Sequence, residues 1–194
     1  MTARAAVRLA RRAAPIPDRL LHNGRRRQAR ARIARIDRLE SALFICLGNI
    51  NRSAYAAATF AREMKRHGID GVEVTSAGFI GPGRPSPAEA QRVATRRGVD
   101  LSAHVSRLVN LEEVTRSSVI IVMDAAQRRR ISSLAPAAAP RIFLLGDFDP
   151  GPVRTRAVQD PYGFPEDVFE AVFTRVDDCI TDLTDALASL HPHE

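Results

Sequence analysis

Cys46 and Arg52, with five residues between them, are the pair in this chain most able to do chemistry. They lie in Leu43-Phe44-Ile45-Cys46-Leu47-Gly48-Asn49-Ile50-Asn51-Arg52-Ser53. A thiol at the end of an apolar run and a guanidinium at the start of an Ala-rich run both face a helix start. Free backbone N–H groups at such a start attract an anion. They also favour a thiolate over a thiol, which makes Cys46 a nucleophile. A nucleophilic sulfur beside a cradle for a tetrahedral anion is the chemistry of a cysteine phosphatase. In that chemistry Cys46 attacks phosphorus and forms a cysteinyl-phosphate. Arg52 grips two oxygens through its planar fork. The loop N–H groups of Leu47, Gly48, Asn49, Ile50, Asn51 and Ser53 supply the remaining donors. Asn49 suits a left-handed backbone position, which Asn tolerates better than most residues.

These residues need a strand, a tight loop and a helix, in that order. Residues 42–47 have the length and apolar character of a buried strand, and 52–66 read as the helix. Further strands are expected at 72–76, 119–123 and 142–145, with a last helix at 166–190 whose apolar face carries Val168, Val172, Val176, Ile180, Leu183, Leu187 and Leu190. Ser86-Pro87-Ala88-Glu89 reads as a capping box, and Asp124-Ala-Ala-Gln127 as a second cap. Strands alternating with helices imply a three-layer α/β fold: a central four-stranded parallel sheet flanked by helices. Ligands bind such sheets at the carboxyl ends of strands, where Cys46 lies.

The loop resembles that of the low-molecular-weight protein tyrosine phosphatase family, bacterial type. The resemblance extends through Thr75-Ser76-Ala77-Gly78, Gly98-Val99-Asp100-Leu101-Ser102-Ala103-His104, Val122-Met123-Asp124, Leu144-Leu145-Gly146-Asp147 and Asp160-Pro161-Tyr162, from about residue 42 to 190. It implies that Asp160 protonates the leaving phenolate and then activates water. It implies that Ser53 hydrogen-bonds the thiolate, that Ser76 and His104 hold Asn49, and that Tyr162 packs on the substrate ring. Phe79 or Ile80 is expected as the opposite wall, where the family often has Trp. Gly163 stands where it often has a second Tyr, and Asn51 where many members have a second Cys. Without that Cys no protective disulfide forms in the loop, and peroxide should inactivate Cys46 irreversibly.

The implied substrate is a phosphotyrosine protein, by analogy a bacterial tyrosine kinase of polysaccharide synthesis. Arsenate reduction on the same fold needs further thiols, and only Cys179 is on offer, on a helix face expected to be buried. Phosphoarginine hydrolysis is the closer rival, but by resemblance those enzymes prefer Thr where this chain has Ile50. Another phosphomonoester, or phosphate binding without catalysis, would share the loop; the intact set of Cys46, Arg52 and Asp160 argues against the latter. The mechanism needs no metal and no cofactor.

Charge divides the chain at residue 40. Residues 1–40 hold twelve Arg and three acids, a net of +9, and the whole chain is +7, which leaves −2 for residues 41–194. Residues 1–40 therefore read as a basic extension and 41–194 as the catalytic domain. A helix is expected over 28–39, solvated, docked on the domain, or in weak contact with an anionic membrane surface. No aromatic residue lies there to stack on bases, so no nucleic-acid partner is expected. Two cysteines, no apolar run long enough to span a membrane and no convincing signal peptide lead to a cytoplasmic expectation. Oligomeric state is not encoded in any motif.

Overall fold

The structure, a computed structural model, describes residues 18–188. The first 17 residues of the basic extension, and the expected end of the last helix with Leu190, lie outside the described residues.

Strands β1 (Ser41–Cys46), β2 (Glu73–Gly78), β3 (Val119–Val122) and β4 (Ile142–Leu144) form one parallel sheet in the order β2-β1-β3-β4. The central strand β1 pairs with β2 from Ser41↔Glu73 to Cys46↔Gly78, and with β3 from Ala42↔Val119 to Ile45↔Val122. Successive β1 side chains enter opposite layers. Phe44 and Cys46 join a core with α2 (Arg52–Arg66), α3 (Ala88–Arg96) and α6 (Glu166–Ala188), whereas Leu43 and Ile45 join a smaller one with Val114 of α4 (Leu111–Arg116) and Ile131 of α5 (Ala125–Leu134). Both faces are covered, which is why the strand reads as an unbroken apolar run. Helix α2 buries Tyr55, Phe60 and Met64, and the Tyr55 ring stacks on Phe173 of α6 at 3.9 Å.

Two local expectations are corrected, and one left open is decided. Helix α1 spans Asp18–Ile33, not 28–39. It starts just after Pro17 with an acidic first residue, and its buried His22, Ala29 and Ile33 share one face. Gly24 sits inside it on an exposed position, where the helical cost of a glycine is only about 1 kcal/mol. Second, Ala29, Ile33 and Leu39 belong to the same core as α2 and α6, so the part of 1–40 that is described is packed into the domain. Arg26 and Arg30 both pair with the buried carboxylate of Asp182 on α6, and Arg32 lies 4.5 Å over the Phe143 ring. Third, Ser86 and Glu89 form no capping box. Pro87 occupies the cap with ψ 152° and offers no hydroxyl, while Gln91 Nε2 donates to the Ser86 carbonyl at 2.7 Å. Asp124 does cap α5, accepting from Gln127 N at 2.9 Å.

Candidate active site

The site is the turn from β1 into α2. Cys46 ends β1, and residues 47–51 form the loop. Asn49 is the one described non-glycine residue with positive φ, at 53°. Its side chain shows how that conformation is held. Asn49 Nδ2 donates to Ser53 Oγ at 3.0 Å and to Ser76 Oγ at 2.8 Å, and its Oδ1 accepts from Arg107 N at 3.0 Å. His104 Nε2 donates to the Asn49 carbonyl at 2.6 Å, so that ring nitrogen carries a proton. The network continues outward, where Arg107 forks onto Glu113 at 2.7 and 2.6 Å and Glu113 accepts from Thr75 Oγ1 at 2.5 Å. Two segments distant in sequence, around Ser76 and over 104–107, thus meet on one backbone turn.

The loop also rests on Gly78, at the end of β2. A Cβ there would lie 2.8 Å from Asn49 N and 2.9 Å from both Gly48 C and Leu47 O. Only glycine lets β2 approach the loop this closely.

Cys46 Sγ accepts from Asn49 N at 3.2 Å and from Ser53 Oγ at 3.1 Å. Asn51 caps α2 without a side-chain hydrogen bond, so the first N–H groups of the helix have no side-chain acceptor. Arg52 is 4% exposed, with Nη1 donating to the Val158 carbonyl at 3.1 Å and Nη2 paired with Asp160 Oδ2. Its Nε, and both carboxamide atoms of Asn51, are buried and have no partner among the described residues. Buried donors left over beside a nucleophile are what an oxyanion would satisfy.

A cleft of ≈ 100 Å³ opens over the thiol, lined by Cys46, Leu47, Gly48, Ile50, Asn51, Ile80, Arg84, Asp160 and Tyr162. Leu47, Ile80 and Tyr162 are exposed on its walls. Of the two residues expected on the wall opposite Tyr162, Ile80 lines this cleft. Phe79 is corrected: it turns into a different groove, beneath the Arg130 guanidinium at 4.2 Å. Phe79 N and Ile80 N both donate to the Leu47 carbonyl, and the two consecutive side chains line different grooves. Of the expected residues, Cys46, Leu47, Gly48, Ile50, Asn51, Asp160 and Tyr162 line the cleft, Arg52 pairs with Asp160, and Asn49, Ser53, Ser76 and His104 lie in the supporting network.

Arg84 is a cleft residue that sequence reasoning missed. Its guanidinium donates to the carbonyls of Gly48, Gly81 and Ile80, and no carboxylate pairs with it among the described residues. One arginine in a Gly/Pro-rich loop carries no spacing signal. Cys179 lies away from all this, fully buried in α6, where burial pushes its thiol well above the ordinary range.

Comparison with known proteins bears on the family and the fold. The profile of the family described as "Low molecular weight phosphotyrosine protein phosphatase" matches residues 41–191. The chain belongs to that family. It is 36% identical over 113 residues to a "Probable low molecular weight protein-tyrosine-phosphatase EpsP" of Ralstonia nicotianae, covering 57% of this chain and 74% of that protein. It is 32% identical over 146 residues to the human "Low molecular weight phosphotyrosine protein phosphatase", covering 72% and 90%. Among solved structures, the "YwlE arginine phosphatase from Geobacillus stearothermophilus" superposes with a TM-score of 0.69 at 28% identity, covering 80% of this chain and 98% of that one. Helix α1 lies wholly before the matched residues.

Proposed function

We propose that this protein hydrolyses phosphotyrosine in proteins through a cysteinyl-phosphate. The observation that carries the reading is Cys46 Sγ held by Asn49 N and Ser53 Oγ, in the same cleft as Asp160 and beside Arg52. The thiolate attacks phosphorus in line while Arg52 and the loop N–H groups take up charge on the equatorial oxygens. The bond from phosphorus to the phenolic oxygen breaks, and that oxygen takes the proton of Asp160. Asp160 then removes a proton from water, water oxygen bonds to phosphorus, and the P–S bond breaks. Ser53 stabilises the departing thiolate.

Ile50, 7% exposed, and Ile80 make the cleft walls apolar, which suits an aryl ring better than the guanidinium of phosphoarginine. The substrate class is a phosphotyrosine protein, with a bacterial tyrosine kinase as the proposed partner. The cytoplasm is the proposed location; among the described residues no helix is long and apolar enough to cross a membrane. Contact of residues 1–40 with an anionic surface falls to arginines outside the Asp182 cluster, such as the exposed Arg19, Arg27 and Arg35. Replacing these three by Gln should abolish binding to anionic vesicles at low salt; unchanged binding would reject this contact.

The test is hydrolysis of an aryl phosphate, a phosphotyrosine peptide and a phosphoarginine peptide, with EDTA present. Wild type should turn over the first two, and Cys46→Ser should be inactive. Preference for phosphoarginine would move the assignment to that ester, and no hydrolysis of any would leave phosphate binding alone.

A further inference from the structure

Helix α1 lies outside the residues that match the family, yet it grips the segment that delivers the general acid. Asp18 Oδ2 accepts from Arg156 N at 3.0 Å, and His22 Nε2 donates to the Asp149 carbonyl at 2.8 Å. The two bonds fasten both ends of a stretch, 149–156, that has no regular secondary structure. A carbonyl only accepts, so His22 carries a proton on Nε2, and its Nδ1 is buried without a partner among the described residues. His22 is 2% exposed, so this is an interior bond.

The stretch is clamped from the other side as well. Arg175 of α6 bonds Asp149 Oδ2 at 2.8 Å and donates to the carbonyls of Thr155 and Ala157, each at 2.7 Å. Arg156 Nε donates to Asp147 Oδ1 at 2.7 Å. Gly146 lets the stretch settle: a Cβ at that position would lie 2.1 Å from the Arg156 carbonyl oxygen. Immediately beyond, Val158 N donates to the Met123 carbonyl at 2.9 Å and the Val158 carbonyl accepts from Arg52 at 3.1 Å. Two residues later comes Asp160. An acid must sit within a fraction of an ångström of its productive position, and a misplacement of about 1 Å costs up to 10²-fold.

We propose that α1 is a positioning element for the general acid: Asp18 and His22 hold the 149–158 segment so that Asp160 meets the leaving oxygen. The assignment rests on the phosphatase reading above. It gives the basic N-terminal segment a role in catalysis through another residue, without touching substrate. Asp18 remains charged under assay conditions, because the Arg156 N–H and then Arg25 hold its carboxyl below the ordinary range.

The experiment compares kcat/KM for phenyl phosphate and 2,4-dinitrophenyl phosphate in the full-length chain. Dinitrophenolate leaves without a proton, so a misplaced acid is silent on it, whereas phenolate needs one. His22→Ala and Asp18→Ala should each lose about 10-fold or more on phenyl phosphate and less than about 2-fold on the dinitrophenyl ester. His22→Gln, which can still donate to the Asp149 carbonyl, should recover most of the loss. Asp160→Ala, run alongside, sets the full selective loss. Equal losses on both esters, or a lowered Tm with no loss on either, would overturn the proposal and leave α1 a purely structural helix. If His22→Ala does not fold, Asp18→Ala, which removes a part-exposed side chain, decides alone. Wild type inactive on both esters would reject the phosphatase reading and this proposal with it; a selective loss in Asp160→Ala without one in the α1 variants would reject only the proposal.

Discussion

Arg52 Nη2 is paired with Asp160 Oδ2, so the cation proposed to bind the phosphoryl group and the acid proposed to serve the leaving oxygen are hydrogen-bonded to each other. The pairing sets Asp160 beside the site where phosphorus arrives. It also makes carboxylate and substrate rivals for the same guanidinium. Replacing Asp160 by Ala therefore has two separable effects. kcat/KM for a phenyl ester should fall by about 10² or more. Competitive inhibition by inorganic phosphate should stay as tight or tighten, because the fork of Arg52 is released. Steady-state inhibition constants of wild type and variant check this, and weaker phosphate binding would contradict it.

Gly78 and Asn49 predict a second outcome. The Cβ of Ala at position 78 would sit 2.8 Å from Asn49 N, the group that also donates to Cys46 Sγ. Backbone cannot yield as a flexible side chain does. Gly78→Ala should cost about 1–3 kcal/mol of stability, the scale of overpacking, and should lower activity more than any other conservative change in β2. Denaturant unfolding and oxyanion binding together measure it.

The two thiols should differ sharply in reactivity. Cys46 lies in the cleft, and Cys179 is buried with its thiol pushed up. Iodoacetate should label Cys46 alone in the folded protein, with Cys179 labelled only in denaturant. Asn51 stands beside the loop where a resolving thiol would be needed, so peroxide inactivation should not be reversed by dithiothreitol. A Cys46–Cys179 bridge found by mass spectrometry after mild oxidation would refute this.

Glu113 carries a pH dependence. Burial alone would raise its carboxyl, but hydrogen bonds from Arg107 and Thr75 outweigh it and hold it below the ordinary 4.5. A depressed carboxyl stabilises the fold above its unfolded value and loses that contribution as pH falls through the folded value. Wild type should therefore lose stability below about pH 4.5 more steeply than Glu113→Gln, which should be less stable near neutrality and flatter in acid. Because Arg107 N also bonds Asn49 Oδ1, the same acid range should loosen the loop. Unfolding free energies across pH 3–7 test the sign.

Much of the site was legible because its parts are contiguous. Strand, loop and helix start occupy residues 41–66, and the identities of Cys46, Asn49 and Arg52 carry their chemistry wherever the turn forms. Helix α2 is as expected at both ends, since a run of Ala with Tyr55, Phe60 and Met64 at helical spacing leaves few alternatives. Phe79 was not placeable: it and Ile80 are adjacent, both apolar, and the groove that each lines is set only in the folded chain. Helix α1 was expected over 28–39, and its docking stood only as one of several alternatives, because twelve arginines in forty residues suit solvation equally well. Its acceptors, Asp182 and the Asp149 carbonyl, lie more than a hundred residues away.

The parallel α/β frame, and the expectation that Cys46 is a nucleophile beside an anion cradle, could be read along the chain, because they depend on local geometry and on the period of apolar residues. That Ser76, His104 and Arg107 converge on Asn49, that Asp160 meets Arg52, and that α1 bonds the segment before Asp160 emerge from the folded chain. These are contacts between segments with no fixed separation along the chain, and no spacing rule encodes them. They form because packing the helices on the sheet brings these distant polar groups within reach of one another.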